Sequence, residues 1–460
     1  MKQKIKKVLI NVNDKILETK DKLFQTNEQE IHNGLFSVIK KNLFSIPVSI
    51  RVVSFSLFLF MLGWGLGADT YFSVYLKSIV DDVLFLSIIG ALLPFSKMIL
   101  SLSIGELNDR GNMKILLFMS KIFYIIAGFL FLFAGIFHQP IILIIAVVLN
   151  GFAGATMFTT YESYIRLESK KHSPGNSRGL YFSSINAAYL IGAILSAVII
   201  NRIELPYVYI FVIIFGILSL FTDKKIVIHQ KRHLKEVFSK ESFLHQFIKE
   251  VFSFAPLKRA YIAVKGYSKS MIYTLGFEAL FNIMAYIGFL FIPLVAIKNN
   301  LSLSEIALVF GLMRLPYVTN FFTNGWFDRY DKKLFIIIVI LFLSFLFASF
   351  GFNESFGSIL IISFGISLGL SMIRPVISSL ISEQTHINDT GTITGVQQFV
   401  AMLACIFGSI GFGFFSEIFG MQTTFILVGL SLFVLAIWGI GKKMKYRINT
   451  LKTKKIINSM

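Results

Sequence analysis

Charged residues are scarce in this chain: Asp, Glu, Lys and Arg make up 15% of its 460 residues, against about 25% in an ordinary soluble domain. Cysteine is scarcer, since Cys405 is the only one, and a single thiol excludes an intrachain disulfide framework. The sequence has neither a Gly-x-x-x-x-Gly-Lys-[Ser/Thr] loop nor a His-Glu-x-x-His pair. These absences argue against an ATP-driven pump and a metalloenzyme. We expect no enzyme activity, no metal and no cofactor.

Apolar runs take the place of charge, because hydrophobic residues make up 55% of the chain. A bilayer core of ~30 Å requires about 20 apolar residues per helix, and such runs recur from residue 49 to residue 441. They predict an all-α polytopic membrane protein with twelve transmembrane helices. The predicted spans are roughly 49–76, 83–107, 112–137, 140–166, 178–200, 205–222, 268–297, 303–324, 333–352, 356–382, 390–418 and 421–441.

The basic residues lie almost entirely on one side of these spans. If both termini are cytoplasmic, 37 of the 44 Lys and Arg residues face the cytoplasm, three face the other side and four lie within spans. This bias assigns the net charge of +19 to contacts with anionic lipid rather than nucleic acid. We predict a multi-pass protein of the bacterial inner (plasma) membrane with both termini in the cytoplasm.

Polar segments divide the chain into five predicted parts. These are a basic cytoplasmic tail (1–45), an N-terminal half of six helices (46–222), a cytoplasmic central loop (223–267), a C-terminal half of six helices (268–441) and a basic tail (442–460). Apolar residues of the first tail recur at helical spacing between lysines, which fits a helix lying on the membrane surface. A solvated tail is an equal alternative.

One charged loop occurs twice. The stretch GELNDRGNMK lies between the second and third spans, and NGWFDRYDKK lies between the eighth and ninth, 219 residues later. The equivalent charged residues are Asp109, Arg110 and Lys114 in the first copy and Asp328, Arg329 and Lys333 in the second. Equal spacing at the same place in each half indicates an internal duplication, as expected of transporters that rock two halves about a central site.

These loops resemble the signature of the major facilitator superfamily, approximately G-x-L-a-D-R-x-G-R-[RK]. Gly105, Leu107, Asp109, Arg110 and Lys114 are in register, whereas Asn112, Met113, Asn324 and Trp326 depart from the pattern. The resemblance implies two six-helix bundles, a central cavity and alternating access. It also implies that Asp109 and Asp328 hold ion-pair networks that latch the bundles, although the charges could instead only solvate a loop.

Seven charged residues lie at least four positions from the ends of predicted spans, where each costs about 2.5–3.5 kcal/mol on insertion scales and is a functional candidate. They are Asp69, Lys97, Lys121, Glu162, Glu278, Arg314 and Arg374. The family fold implies that helices one, four, seven and ten line the cavity, and these helices carry Asp69, Glu162, Glu278 and Arg374. We predict that Lys97 faces the cavity or is paired, and that Lys121 reaches the membrane surface.

Polar side chains also share helical faces in two spans. Ser367, Ser371, Arg374 and Ser378 form one stripe, and Glu278, Asn282 and Tyr286 form another. The stripes are expected to line the cavity, with a hydrogen-bonded seam between helices as the alternative.

The acids and bases have different predicted roles. Glu278 is the deepest acid and the first choice for a proton-carrying carboxylate, because burial disfavours its charged form. Asp69 is either hydrated or paired. Glu162 either serves the site or forms a local ion pair with Arg166 four residues later. Arg314 and Arg374 either hold an anionic substrate group or neutralise the acids.

The predicted function is secondary active transport by a monomer. The aromatic-rich spans favour proton-coupled efflux of a small amphipathic compound. Val147 stands where many drug/proton antiporters of the family have arginine, which weakens that assignment and leaves the coupling ion open. The alternatives are a proton-coupled symporter importing an organic anion and a non-transporting polytopic protein, such as a lipid scramblase or a receptor, on the same fold.

Overall fold

The structure is a computed structural model of the chain. It describes residues 46–109, 113–169, 174–223, 258, 261–262, 264–323, 331–384 and 390–459. Twelve long helices account for nearly all of these residues, and no strand occurs among them. They are α1 Val48–Ile79, α2 Val83–Asp109, α3 Met113–Phe137, α4 Pro140–Ser169, α5 Pro174–Ile199, α6 Tyr209–Asp223, α7 Lys269–Lys298, α8 Leu303–Thr323, α9 Lys332–Phe350, α10 Phe356–Glu383, α11 Thr390–Phe419 and α12 Met421–Ser459.

Eleven of these helices are long and apolar enough to cross a membrane, when α6 is counted together with the helical turn Leu205–Val208 that precedes it. Helix α8, with 21 residues, packs among them. The all-α fold predicted from the apolar runs is therefore confirmed. Polar residues set several helix ends: the Ser268 hydroxyl accepts from the Met271 amide at the start of α7, and Asp331 accepts from Leu334 at the start of α9. Gly420, with a φ of 81°, makes the turn between α11 and α12.

Helix packing repeats between the two halves. Helix α1 packs on α5 as α7 packs on α11, α2 packs on α4 as α8 packs on α10, and α3 packs on α6 as α9 packs on α12. Between the halves, α2 lies along α11 and α5 lies along α8. Helix α2 of the first half corresponds to α8 of the second, and α5 corresponds to α11, so the two contacts are equivalent. This equivalence is expected of two duplicated six-helix bundles.

Two predicted segments lie wholly or largely outside the described residues, and the last predicted span is longer than expected. The tail 1–45 and nearly all of the central loop lie outside the described residues, so the domain boundaries remain predictions. Helix α12 continues past the predicted end of its span at residue 441 to Ser459 and has 39 residues. At 1.5 Å per residue it is about 58 Å long, roughly twice the bilayer core.

Helix α1 changes geometry midway. Its five residues Trp64–Ala68 form a π-helical turn, in which the Asp69 amide donates to the Trp64 carbonyl. Within this region a Cβ on Gly65 would lie 2.8 Å from Tyr189 Cα, and one on Gly67 would lie 2.6 Å from the Val208 carbonyl oxygen. The glycines therefore allow α5 and the segment before α6 to approach the turn closely.

Lys121 corrects the expectation that this side chain reaches the membrane surface. Its side chain is fully buried between helices, and its ammonium donates to Ser56 Oγ at 2.7 Å and to the Ser219 carbonyl at 3.2 Å. These two acceptors lie on α1 and α6. The charge is stabilised inside the bundle because polar groups of two neighbouring helices reach it.

Candidate functional site

A cavity of about 310 Å³ lies between the two halves. Its walls come from α2, α4 and α5 of the first half and from α7, α8, α10 and α11 of the second. The expectation that helices one, four, seven and ten line it is therefore only partly correct. Among the described residues α1 contributes none to this lining, whereas α2, α5, α8 and α11, which pack in pairs between the halves, all contribute.

Contacts between the halves occur on both sides of the cavity. On the side where α1 and α7 begin, Leu102, Leu275 and Val396 form a buried apolar cluster that joins α2, α7 and α11. On the other side the rings of Phe72 and Phe289 stack with centroids 5.9 Å apart. Separation of either set of contacts would widen access to the cavity from that side.

The deepest acid is paired within the second half. The Glu278 side chain is almost fully buried, and its Oε1 lies 2.6 Å from Arg374 Nη1 and 3.1 Å from Asn282 Nδ2. Its other oxygen, Oε2, is buried and has no hydrogen-bond partner among the described residues. Glu278 thus has one oxygen held by a cation and one free to accept a proton or a donor.

Arg374 is held by ring faces as well as by the carboxylate. Its guanidinium lies 5.3 Å from the centroid of Phe281 and 5.7 Å from that of Phe182. Of the two roles predicted for Arg374, the structure shows that it neutralises an acid. The two rings belong to α7 and α5, so this arginine contacts both halves across the cavity.

Glu162 forms the predicted local ion pair and also belongs to a larger network. Its Oε1 lies 2.5 Å from Arg166 Nη2, and the same nitrogen donates to Gln397 Oε1 at 2.7 Å. Gln398 Nε2 donates to Glu162 Oε2 at 3.3 Å. These four side chains, the α4–α11 network, connect the two halves between the cavity and the predicted cytoplasmic face.

Three further ionisable residues lie close together on α1, α2 and α8. The Asp69 carboxylate is beside the Tyr189 side chain and within electrostatic reach of Arg314 and Lys97. Lys97 and Arg314 both line the cavity. Of the two alternatives for Lys97, facing the cavity or being paired, its position matches the first, and its role in binding remains a prediction.

The serine stripe of α10 forms a hydrogen bond to a neighbouring helix through Ser367, one of its three serines. Ser367 Oγ donates to the Met313 carbonyl of α8, and Ser371 Oγ donates to the Leu368 carbonyl of its own helix at 2.8 Å. Of this stripe, only Arg374 lines the main cavity. In the stripe of α7, Asn282 lines the cavity, whereas Tyr286 Oη donates across the halves to the Gly90 carbonyl at 2.7 Å.

The duplicated loops are only partly described. Gly105 is buried near the end of α2, Asp109 is its last residue, and Lys114 is exposed at the start of α3. Lys333 Nζ donates to Ser270 Oγ of α7 at 3.1 Å. The remaining charged residues predicted for the latch, Arg110, Asp328 and Arg329, lie outside the described residues, and the latch function remains a prediction.

The sequence profile of the Major Facilitator Superfamily matches residues 53–313 and 275–456, which together cover most of the chain. The chain belongs to the major facilitator superfamily. The family and its transporter class, expected from two short loops, are thereby confirmed, and the chain is a multi-pass membrane transporter of that family.

Two individual proteins show how far this similarity extends within the superfamily. Quinolone resistance protein NorA of Staphylococcus aureus (strain MSSA476) is 23% identical over 341 residues, which are 72% of this chain and 81% of NorA. The crystal structure of the human organic anion transporter MFSD10 (TETRAN) superimposes with a TM-score of 0.64 at 13% identity, covering 86% of this chain and all of that one. The second likeness shows the fold.

Several residues of the cavity and of the α4–α11 network were not singled out from the sequence. Gln397 and Gln398 stand as adjacent polar residues within a predicted span, and that signal was available. The aromatic lining, which includes Phe158, Tyr181 and Tyr317, could not be distinguished from the many other rings of the chain. No group of three or more His, Cys, Asp or Glu that could hold a metal ion occurs in the described part of the chain.

Proposed function

We propose that this protein is a monomeric secondary active transporter of the bacterial plasma membrane, with both termini cytoplasmic, that exports a small amphipathic compound in exchange for protons. The observation that carries the proposal is Glu278, a buried carboxylate beside the cavity with one oxygen on Arg374 and the other without a partner. An ionisable group in this position can alternate between proton and substrate.

The coupling step follows from the second oxygen of Glu278. A substrate donor bound to Oε2 and a proton on the same oxygen exclude each other, so each displaces the other. Such competition is the simplest physical basis for exchange. The charge left on Arg374 after protonation stays close to the rings of Phe182 and Phe281, which stabilise it through their faces.

Amphipathic cargo is supported by the cavity walls. Aromatic rings from both halves, including Phe158, Phe182 and Phe281, stand next to charged and amide side chains. Such mixed walls bind a compound with an apolar body and a few polar groups. The similarity to NorA, a quinolone resistance protein, supports export as the direction.

Flux measurement in proteoliposomes tests the proposal. A pH gradient is imposed on vesicles containing the purified protein and a pH-sensitive dye, and amphipathic compounds are added one at a time. We expect substrate-dependent proton movement opposite to the substrate. If no compound causes proton movement under either gradient, proton-coupled exchange is contradicted.

A second candidate function is proton-coupled import of an organic anion. It is favoured by the balance of charge around the site, where Lys97, Arg166, Arg314 and Arg374 outnumber the three acids. The same assay separates the two functions, because protons and substrate would then move in the same direction.

A further inference from the structure

The cations around the cavity are unequally neutralised. Arg166 pairs with Glu162 at 2.5 Å, and Arg374 pairs with Glu278 at 2.6 Å. Each of these pairs leaves no net charge. Two cations, Lys97 and Arg314, and one acid, Asp69, remain, and they do not form such a pair.

Lys97 and Arg314 have one nearby acid between them, Asp69, and neither forms a direct ion pair with it. Among the described residues neither side chain forms an ion pair with a carboxylate. Asp69 is within electrostatic reach of both, and its side chain lies beside Tyr189. When all three groups are ionised, one positive charge is therefore in excess within the protein interior, where an unneutralised charge is costly.

Aromatic rings hold both cations in place at the cavity wall. The Arg314 guanidinium lies 4.6 Å from the centroid of Tyr189 and 4.5 Å from that of Phe310, and Lys97 Nζ lies 5.7 Å from that of Phe158. Ring faces stabilise a cation without cancelling its charge. Gly154 makes room for Lys97, since a Cβ there would lie 2.6 Å from Lys97 Cε.

We propose that Lys97 and Arg314 form a subsite for an anionic group of the transported compound, a carboxylate, sulfonate or phosphate, and that Asp69 is the internal counter-ion which this group replaces. The inference rests on the proposed function in one respect, that this cavity holds the substrate, and it is independent of the direction of transport. The apolar body of the compound then lies against the rings of the walls, among them Phe158 and Phe281.

If the ligand replaces Asp69 as the counter-ion, the proposal predicts the direction in which neutralising Asp69 changes anion affinity. An acid that only supports the fold would weaken binding when it is neutralised. An acid that competes with the ligand strengthens binding of an anion when it is neutralised, because both cations are then available. Asp69→Asn and the two cation variants should therefore change anion affinity in opposite directions.

Binding of a matched pair of probes to the detergent-solubilised full chain tests the subsite by calorimetry. The probes are 1-naphthoate and neutral 1-naphthamide, which share a ring system and differ in charge. We expect tighter binding of naphthoate. Lys97→Gln and Arg314→Gln should each weaken it by about tenfold, as for the loss of one charge-assisted hydrogen bond, and leave naphthamide unchanged. Asp69→Asn should tighten naphthoate binding.

Controls keep folding and transport separate from the subsite. Lys298→Gln removes an exposed cation at the end of α7 and should change neither affinity. Lys97→Arg retains the charge and should retain the preference for naphthoate if Lys97→Gln folds poorly. Equal binding of the two probes, no binding of either, or weaker naphthoate binding by Asp69→Asn overturns the subsite. Charge-selective binding without substrate-dependent proton flux contradicts the proposed exchange and leaves the subsite standing.

Discussion

Arg374 Nη1 lies 2.6 Å from Glu278 Oε1, and both residues belong to the second half of the protein. The Arg166 side chain, in contrast, crosses between the halves to Gln397 at 2.7 Å. The hydrogen bond between Glu278 and Arg374 thus lies within one half, whereas the hydrogen bond between Arg166 and Gln397 joins the two halves. A change in one of them can be examined while the other remains intact.

Glu278→Gln should abolish substrate-dependent proton flux, because an amide cannot cycle through a proton. The variant leaves the partly buried Arg374 without a counter-charge, and breaking a fully buried pair destabilises a protein by about 3–5 kcal/mol, so we expect a loss no larger than this. Glu278→Gln/Arg374→Gln removes both charges and should recover much of that stability without recovering flux. Thermal unfolding in detergent and the proteoliposome assay measure the two effects.

Glu417→Gln, which neutralises an exposed acid of α11, is the matched control and should retain full flux. Retention of proton flux by Glu278→Gln would remove this residue from the coupling step.

Loss of the α4–α11 network should expose the cavity on the predicted cytoplasmic side. Cys405 is the single cysteine, it is buried, and it follows the cavity-lining Ala401 by one helical turn. Gln397→Ala removes a partner of a charged group, worth about 1.5–3 kcal/mol, so the open population should rise about tenfold or more. The rate at which a membrane-impermeant thiol reagent labels Cys405 from each side of the membrane measures it.

Gln422→Ala provides a control at the opposite end of the helices, where this amide contacts Glu354. It should leave labelling from the predicted cytoplasmic side unchanged. Equal labelling rates in Gln397→Ala and the unaltered protein would show that the network does not hold that side closed.

Ser56→Ala should destabilise the first half by about 1.5–3 kcal/mol, since it removes an acceptor from the buried ammonium of Lys121. The cost should nearly vanish in a Lys121→Met background, where there is no charge to satisfy. Unfolding of the four proteins of this double-mutant cycle gives the coupling energy directly. Additive effects would show that the Ser56–Lys121 hydrogen bond contributes nothing to stability.

Gly192→Ala should disturb the packing of α5 on α1. A Cβ there would lie 2.6 Å from Gly65 C and 2.7 Å from Leu66 N, and backbone atoms cannot rotate away. We expect a loss of about 1–3 kcal/mol in unfolding free energy, typical of overpacking. Gly276→Ala, whose Cβ would meet nothing within 4 Å, should cause no loss; equal effects of both variants would contradict the close approach.

Much of the fold was predictable because a bilayer imposes length and polarity on each helix separately. Pairs within one helix, such as Glu162 with Arg166, were predictable from helix geometry, because side chains four residues apart lie next to each other. Pairing of Glu278 with Arg374 was not, because it depends on how α7 lies against α10. Lys121 was misjudged since a flexible side chain can reach the membrane surface or turn inward, and only the neighbouring Ser56 and Ser219 decide which.

The π-helical turn Trp64–Ala68 has a consequence for counting residues along α1. Each residue of an α-helix advances the side-chain direction by about 100°, and a π turn accommodates one residue more than an α turn. Residues after the turn are therefore out of phase with those before it, and a helical wheel drawn through Val48–Ile79 misplaces its second part. Removing one residue from the turn would restore a continuous phase and rotate Asp69 by about 100°, away from Arg314 and Lys97. The length of this turn, rather than any side chain in it, sets which way that acid points.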